Sequence, residues 1–190
     1  MVTKNYIYRS YSMEYGTFVG LSWSALFLSY VEGISYSNVL LILLCLLLCV
    51  VGLLLPFILG LRLNRKVFAT DEKLSYMQGL FFALSMFMYA SLMNGLIVFV
   101  YFRFWDNGLL YEQVNSMLTM PEMVTTYQQL GMGMQYEQMM QMVDELDNMS
   151  AFDKTLLIFN NNFFFGLIMS FLVAVVASYD LNRLQKRQKE

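Results

Sequence analysis

The chain has 190 residues, of which 58% are hydrophobic and only 14% are charged. The charged share is about half that of an average soluble domain, so the composition excludes an ordinary water-soluble monomer. The sequence contains no histidine. This excludes an imidazole base, a histidine metal ligand and a Ser-His-Asp catalytic triad.

Charged residues are absent from four long stretches of the sequence, which are 15–31, 33–61, 74–102 and 155–179. A transmembrane helix needs roughly 20 apolar residues, so each stretch can hold one. We therefore predict an all-α fold, an integral membrane four-helix bundle that occupies residues 1–190 as a single domain. The predicted spans lie at about 15–34, 38–61, 74–102 and 155–179. No charged residue lies at the centre of a span, which disfavours a proton-coupled or ion-coupled transporter.

The first two spans are joined by the short segment 32–37, which predicts an antiparallel helical hairpin. In span one, Gly16, Gly20 and Ser24 recur every four residues, and such a stripe lets another helix approach closely. Span two consists almost entirely of leucine, valine and isoleucine. We expect it to face lipid, with at most a kink at Pro56.

Helix starts are indicated before spans three and four. Thr70, which precedes two acidic residues, predicts an N-cap and an acidic first turn for span three. Ser150 with Asp153 three residues later predicts a capping box for span four. Span four carries a second stripe of small residues, which consists of Gly166, Ser170, Ala174 and Ser178. We expect the two stripes to pack against each other; the alternative is that one is reserved for a partner subunit.

Residues 103–154 separate spans three and four, and a segment of about 50 residues is too long for a structureless connection. We predict that it forms an extracytoplasmic helical cap with two helices. Thr119 and Glu122, with a proline between them, match a capping box with a first-turn proline. Gly131 and Gly133 predict a break before the second helix. The apolar residues of that amphipathic helix recur at spacings of three and four, and they are Met139, Met142, Val143, Leu146 and Met149.

Lysine and arginine cluster on one side of the predicted membrane. With four spans, Arg103 and Lys154 fall elsewhere, and the basic residues on the common side are Lys4, Arg9, Arg62, Arg65, Lys66, Lys73, Arg183, Lys186, Arg187 and Lys189. Because lysine and arginine are retained in the cytoplasm, we predict a multi-pass protein of the bacterial inner membrane with both termini cytoplasmic. The opposite side is acidic, and nothing in the pattern indicates a nucleic-acid partner.

Sulfur-containing residues raise the question of a soft metal ion. Nine methionines lie in the segment 103–154, at Met117, Met120, Met123, Met132, Met134, Met139, Met140, Met142 and Met149. Thioether sulfur is a soft ligand, so capture of copper(I) or silver(I) is one interpretation. The other, which we favour, is that methionine fills contacts with lipid or a partner. Cys45 and Cys49, four residues apart in span two, are expected to act as small buried hydrophobes. We therefore expect no bound metal and no cofactor.

Amide side chains form an unusual cluster inside the predicted spans. Asn160, Asn161 and Asn162 follow one another in span four, at about the depth of Asn94 in span three. Because three successive residues cover about 200° of a helix, they cannot all face one partner. One interpretation is interhelical hydrogen bonding with Asn94 or with polar residues of span one. The other is a polar pocket for a lipid headgroup or a small ligand, with all four asparagines as candidate ligand-binding residues.

The third span has a distinctive entry and exit. It begins Leu74-Ser75-Tyr76-Met77-Gln78-Gly79 and ends Tyr101-Phe102-Arg103-Phe104-Trp105. A glutamine and a glycine at the entry, with an aromatic exit of Tyr-x-x-Phe type before an acidic segment, resemble a family of small four-span membrane proteins of unknown function found widely in Bacteroidota. The resemblance covers essentially the whole chain in layout and implies no catalytic residues. Genes of this family often lie near envelope glycosyltransferases, so the resemblance implies such an enzyme as a candidate partner.

Two functional hypotheses follow. The first is a non-enzymatic accessory or interaction subunit of a cell-envelope complex, which contacts membrane lipid and a membrane-protein partner. It depends on the absence of a catalytic constellation, on the small-residue stripes and on the amphipathic helical cap. The alternative is a protein that binds or transports lipid or another small amphiphile, using an amide-lined pocket in the outer leaflet.

Overall fold

Four helices of the protein are long and apolar enough to cross a membrane. They belong to a computed structural model that describes residues 2–68, 74–106 and 108–179. The candidate spans are Ser10–Ser35, Val39–Val67, Tyr76–Trp105 and Ala151–Ala177. The predictions of an all-helical fold and of four apolar helices that fit a multi-pass membrane protein are therefore confirmed.

Seven α-helices and one π-helical turn make up the regular structure of the described residues. The helices are α1 (Val2–Ser35), α2 (Val39–Phe68), α3 (Tyr76–Val100), α4 (Leu109–Leu118), α5 (Pro121–Gln129), α6 (Gly133–Asn148) and α7 (Ala151–Ala177). The π-helical turn, Tyr101–Trp105, continues α3 toward the connecting segment. We use the name connecting segment for residues 106–150, which hold α4, α5 and α6.

Capping side chains determine where α3 and α7 begin. At α3, the hydroxyl of Ser75 accepts from the amide of Gln78, whose side chain accepts from the amide of Ser75 in return. The start predicted from Thr70 is wrong, because Leu74 and Ser75 are not helical; Thr70 itself lies outside the described residues. At α7, Ser150 is the predicted N-cap and accepts from the backbone amide of Asp153, but the capping box is incomplete, because the Asp153 carboxylate accepts from the Ser150 hydroxyl and not from the Ser150 amide.

Helix α3 is the most buried span, and it packs on α1 at one side and on α7 at the other. Gly16 and Gly20 of α1 lie against α3, where a methyl group at Gly16 would lie 2.6 Å from the carbonyl oxygen of Met86. Gly166 of α7 lies against the opposite side, where a methyl group would lie 2.6 Å from Cβ of Phe87. Backbones approach this closely only where a side chain is missing.

The two stripes of small residues therefore face α3 and not each other. Ser24 continues the first stripe and contacts α3 through its hydroxyl, while Ser170 and Ala174 continue the second and are buried. The expectation that spans one and four pack through their stripes is wrong. Helices α1 and α7 meet through the rings of Trp23 and Phe165, whose centroids are 6.1 Å apart.

Helix α2 is the least buried span, as its leucine-rich sequence predicts. It reaches α7 near its C-terminal end, where Gly60 lies next to Val173. Asn64 lies one turn further on, and its Nδ2 donates to the carbonyl oxygen of Tyr179 at 2.9 Å and to that of Val176 at 3.4 Å. These bonds tie α2 to the residues at which α7 ends.

The connecting segment contains three helices, whereas the sequence predicted two. Helix α4 was not predicted, and it packs against the end of α1. Gln113 of α4 donates from Nε2 to the hydroxyl of Ser37, at 2.9 Å, in the turn between α1 and α2. The connecting segment therefore lies at the end of the bundle where α1 ends and α2 begins.

Two boundaries inside the connecting segment test the sequence predictions. The prediction of a capping box at Thr119 is wrong. The hydroxyl of Thr119 donates to the carbonyl oxygen of Asn115 in the preceding helix, at 2.8 Å, and helix α5 begins at Pro121. The predicted break is confirmed, since Gly131 has a φ of +67° between α5 and α6. On α6, Met139, Val143 and Leu146 are half-buried as expected, whereas Met142 and Met149 are exposed.

Candidate functional site

A cavity of about 410 Å³ lies between α1, α2, α3 and α7. We call it the amide cavity, because Asn94 of α3 and Asn162 of α7 both line it. Its other lining residues are Trp23, Leu26, Phe27, Tyr30, Cys49, Gly52, Leu53, Ile158 and Phe165. Ligand pockets in proteins have volumes of about 300–1,000 Å³ and are mostly apolar with a few polar groups, and the amide cavity fits that description.

The amide cavity lies where α2 and α7 separate. The contacts of α2 with α7 described above follow Pro56, whereas Gly52 and Leu53, which line the cavity, precede it. Because proline has no amide hydrogen, the carbonyl of Gly52 receives no helical hydrogen bond from residue 56. Leu53 and Phe165 are 46% and 43% exposed. The cavity therefore opens between α2 and α7, on a surface that would face the bilayer.

Asn94 is buried and contacts α1 through Ser24. The hydroxyl of Ser24 lies 3.1 Å from Oδ1 of Asn94 and 2.8 Å from the carbonyl oxygen of Gly20, so its single proton is shared between two acceptors. This contact holds the Asn94 amide at the edge of the cavity. Asn94 thus takes part in interhelical hydrogen bonding and also lines the cavity, although the sequence treated these as alternatives.

Of the three consecutive asparagines of α7, Asn162 alone lines the cavity. It is half-buried, whereas Asn160 and Asn161 are exposed on other faces of the helix. The structure therefore brings together Asn94 and Asn162 and leaves the other two candidate residues on the surface. The sequence analysis missed Gly52, although a glycine four residues before a proline in a leucine-rich helix is a signal for an unpaired carbonyl.

A second cavity, of about 330 Å³, lies beside the amide cavity, toward α4 and α6. We call it the lysine cavity, because Lys154 is the one charged residue among its described lining residues. Phe27, Tyr30 and Ile158 line both cavities, so the two share a wall. The remaining lining residues of the lysine cavity are Val31, Phe102, Leu110, Tyr111, Val114, Val143, Leu146 and Leu157.

Lys154 is 8% exposed, which is unusual for a lysine. Its Nζ lies 4.3 Å from the ring centroid of Tyr111 and 5.3 Å from that of Phe102. It also donates to the carbonyl oxygen of Asp147 at 3.3 Å. The rings and the carbonyl compensate in part for the loss of water around the ammonium group. The sequence analysis noted Lys154 as an outlier of the charge pattern and gave it no role.

Tyr111 completes the polar side of the lysine cavity. Its burial, with a smaller contribution from the negative charges of Asp106 and Asp147, raises the pKa of its hydroxyl to about 12. The hydroxyl therefore keeps its proton at neutral pH and can donate a hydrogen bond. Neither aspartate lines the cavity. Lys154 and Tyr111 thus each present a donor there, and the hydroxyl oxygen of Tyr111 can also accept.

A third recess, of about 420 Å³, lies between α3 and α7 and is almost wholly apolar. Its lining residues are Leu92, Gly95, Leu96, Phe99, Phe152, Thr155, Leu156 and Phe159. It contains no charged or amide side chain among them, so its chemistry suits an acyl chain of the surrounding bilayer and does not select a polar ligand.

Metal binding has no geometric support in the part of the chain that the structure describes. No group of three or more cysteine, aspartate or glutamate residues lies close enough there to hold a metal ion. Met132, Met134 and Met142 of the connecting segment are exposed. The expectation of no bound metal stays a prediction, and copper(I) binding by these methionines stays the less favoured interpretation.

The comparison with protein families places the whole site inside one family. A family model described as "Protein of unknown function (DUF4199)" matches residues 14–178. The chain belongs to the DUF4199 family. The match includes both cavities, the connecting segment and nearly all of the four candidate spans. The predicted membership of a family of unknown function is confirmed at that level. No curated protein and no solved structure matches the chain. DUF4199 membership assigns no chemistry, so the function has to be argued from the cavities themselves.

Proposed function

We propose that the protein binds a membrane lipid whose ester, amide or hydroxyl groups occupy the amide cavity. The observation that carries the proposal is the opening of this cavity between α2 and α7, at the depth of Asn94 and Asn162. A lipid enters such an opening from the bilayer without crossing water. Its acyl chain can stay between the leucine-rich face of α2 and the surrounding lipid.

The polar groups of the amide cavity favour a ligand that both donates and accepts hydrogen bonds. An amide side chain carries two donor hydrogens and an acceptor oxygen. Gly52 also lines the cavity, and its carbonyl has no helical partner because residue 56 is a proline. Leaving such groups unpaired in an apolar environment costs about 1–3 kcal/mol each, so a lipid with ester and hydroxyl groups is favoured over a pure hydrocarbon chain.

The location that we propose is the bacterial inner membrane, with both termini cytoplasmic. Arg62 and Arg65 are exposed near the end of α2, on the same side as the first residues of α1. Acidic residues predominate in the connecting segment at the other end. Since lysine and arginine are retained in the cytoplasm, the amide cavity then lies in the outer half of the bilayer.

Asn162→Leu is expected to weaken lipid binding by about tenfold, because it removes the amide from the cavity and keeps the side chain similar in size. The probe is a monoacylglycerol with a photoreactive acyl chain, added to the protein in phosphatidylcholine nanodiscs. Labelling is quantified against probe concentration and mapped by mass spectrometry. Label is expected on cavity residues such as Cys49 and Ile158.

Asn160→Leu and Asn161→Leu are the matched controls, since they make the same chemical change one or two residues away on exposed faces of α7. Both should leave labelling and thermal stability unchanged. The proposal is wrong if the three variants behave alike, or if label spreads evenly over the lipid-facing leucines of α2.

A second candidate function is the accessory subunit. The observation that favours it is that α5 and α6 contain no buried residue, so both helices offer their faces to a partner. Purification in a mild detergent with mass spectrometry should then yield a stoichiometric membrane protein, with an envelope glycosyltransferase as the first candidate. A monomer that retains nothing would contradict it. Neither function requires enzymatic activity of this chain.

A further inference from the structure

The lysine cavity holds a buried cation whose partners in the described residues are two rings and a carbonyl oxygen. None of these three groups is a carboxylate, although the carboxylates of Asp106 and Asp147 lie near enough to raise the pKa of Tyr111. A charge in an apolar environment is stabilised far more by an opposite charge with a direct hydrogen bond. The cavity beside Nζ of Lys154 therefore has the chemistry of an incomplete ion pair.

The donors of the cavity point to the class of group that completes it. Lys154 supplies an ammonium group, and Tyr111 supplies a hydroxyl that stays protonated at neutral pH. The other lining residues are apolar, apart from the hydroxyl of Tyr30. An anion with several acceptor oxygens fits this set, whereas a cationic or purely donating group would meet no charged acceptor on the lining.

The two cavities follow one another along α7, and their order indicates how a lipid would lie in them. Lys154 precedes Asn162 by eight residues, which is about 12 Å along a helix. The two cavities share the wall formed by Phe27, Tyr30 and Ile158. A bilayer lipid has the same order, with a charged headgroup at the surface, ester groups below it and the acyl chain deeper still.

We propose that the lysine cavity binds the phosphodiester headgroup of an anionic glycerolipid whose ester and hydroxyl groups occupy the amide cavity. This inference rests on the proposed function, because it names the class of lipid that the amide cavity takes. Nζ of Lys154 contacts a phosphate oxygen, and the hydroxyl of Tyr111 donates to another. Binding is non-covalent and needs no proton transfer.

The test compares two lipids that share one photoreactive acyl chain, a monoacylglycerol and a lysophosphatidylglycerol. Both carry the glycerol ester, and the second adds a phosphodiester. In dodecyl maltoside micelles, which contain no phosphodiester, the unmodified protein should bind lysophosphatidylglycerol about tenfold more tightly than the monoacylglycerol, because the phosphodiester adds one charge-assisted contact. Lys154→Gln should reduce this ratio to about one, while Lys154→Arg should retain most of it.

Lys66→Gln is the matched control. Nζ of Lys66 lies 4.2 Å from the ring centroid of Tyr11, so this variant also removes a cation from an aromatic ring. Lys66 is exposed in the last turn of α2 and lines neither cavity. The preference for lysophosphatidylglycerol should remain tenfold in this variant. Labelling of Lys154→Gln by the monoacylglycerol shows that the variant is folded.

Three outcomes would overturn the inference. The first is equal binding of the two lipids to the unmodified protein, and the second is an unchanged ratio in Lys154→Gln. The third is displacement of lysophosphatidylglycerol by an equal concentration of inorganic phosphate, which would make the cavity a site for a free anion. If neither lipid labels the cavities at all, the proposed function fails as well.

Discussion

Replacing Gly16 with leucine is expected to lower the free energy of unfolding by about 1–3 kcal/mol, with the value at the upper end of that range. A Cβ atom at this position would lie 2.6 Å from the carbonyl oxygen of Met86 and 2.7 Å from Cβ of Tyr89. Neither atom can move away without displacing the backbone of α3, which is the most buried span. Thermal unfolding of the detergent-solubilised protein, followed by circular dichroism, measures the loss.

Gly95→Ala is the matched control for Gly16→Leu. Gly95 also lies in a spanning helix, but a Cβ atom there would lie 3.6 Å from Cδ2 of Phe159, which is an ordinary contact. The exchange should leave stability unchanged or raise it by up to about 1 kcal/mol, because alanine is the better helix former. If Gly16→Leu is as stable as Gly95→Ala, the close packing of α1 on α3 is contradicted.

The small-residue stripes show what a pattern in one helix can predict and what it cannot. A repeat of Gly16, Gly20 and Ser24 shows that one face of α1 is flat. It does not show which helix lies against that face. Helix α3 accepts both stripes because it has buried small residues of its own, Gly79, Ala83 and Ala90 among them. These buried residues of α3, which belong to neither stripe, explain why the pairing of the stripes was predicted wrongly.

The membrane depth of the candidate site residues was predictable from the sequence, but the direction of their side chains was predictable only in part. Counting residues along spans three and four placed Asn94 and the asparagines of α7 at one level, and Asn94 and Asn162 do line one cavity. The direction of each side chain depends on how α7 is rotated about its axis. That rotation is set by the packing of Gly166 on α3, which the sequence did not assign.

The burial of Lys154 could not be predicted from the sequence. The residue stands at the start of an apolar stretch, where a lysine commonly extends to the membrane surface. Its burial depends on Tyr111 of α4 and on Phe102 of the π-helical turn. Helix α4 was not predicted, because it has no side-chain cap and starts after Gly108 in a left-handed conformation, with a φ of +81°.

Gly52→Phe is expected to weaken lipid binding strongly, by filling the amide cavity while leaving Asn94 and Asn162 in place. A Cβ atom at Gly52 would lie 3.2 Å from Cδ1 of Trp23 and 3.8 Å from Oγ of Ser22. Both are side-chain atoms, so they can shift slightly. The ring would extend beside Trp23, which lines the cavity, and so take up space that the lipid needs. The close approach to Trp23, which is 9% exposed, should cost stability, and the higher helix propensity of phenylalanine offsets part of that cost.

Val51→Phe is the matched control, because Val51 precedes Gly52 on α2, is 41% exposed and does not line the cavity. Titration with the photoreactive monoacylglycerol in nanodiscs should give a dissociation constant at least about tenfold weaker for Gly52→Phe, as expected when a buried site is blocked, and an unchanged constant for Val51→Phe. Thermal unfolding of both variants separates a blocked cavity from a damaged bundle. If Gly52→Phe is folded and still binds the lipid as tightly as the unmodified protein, then the lipid does not occupy the amide cavity, and the lateral opening between α2 and α7 has no role in binding.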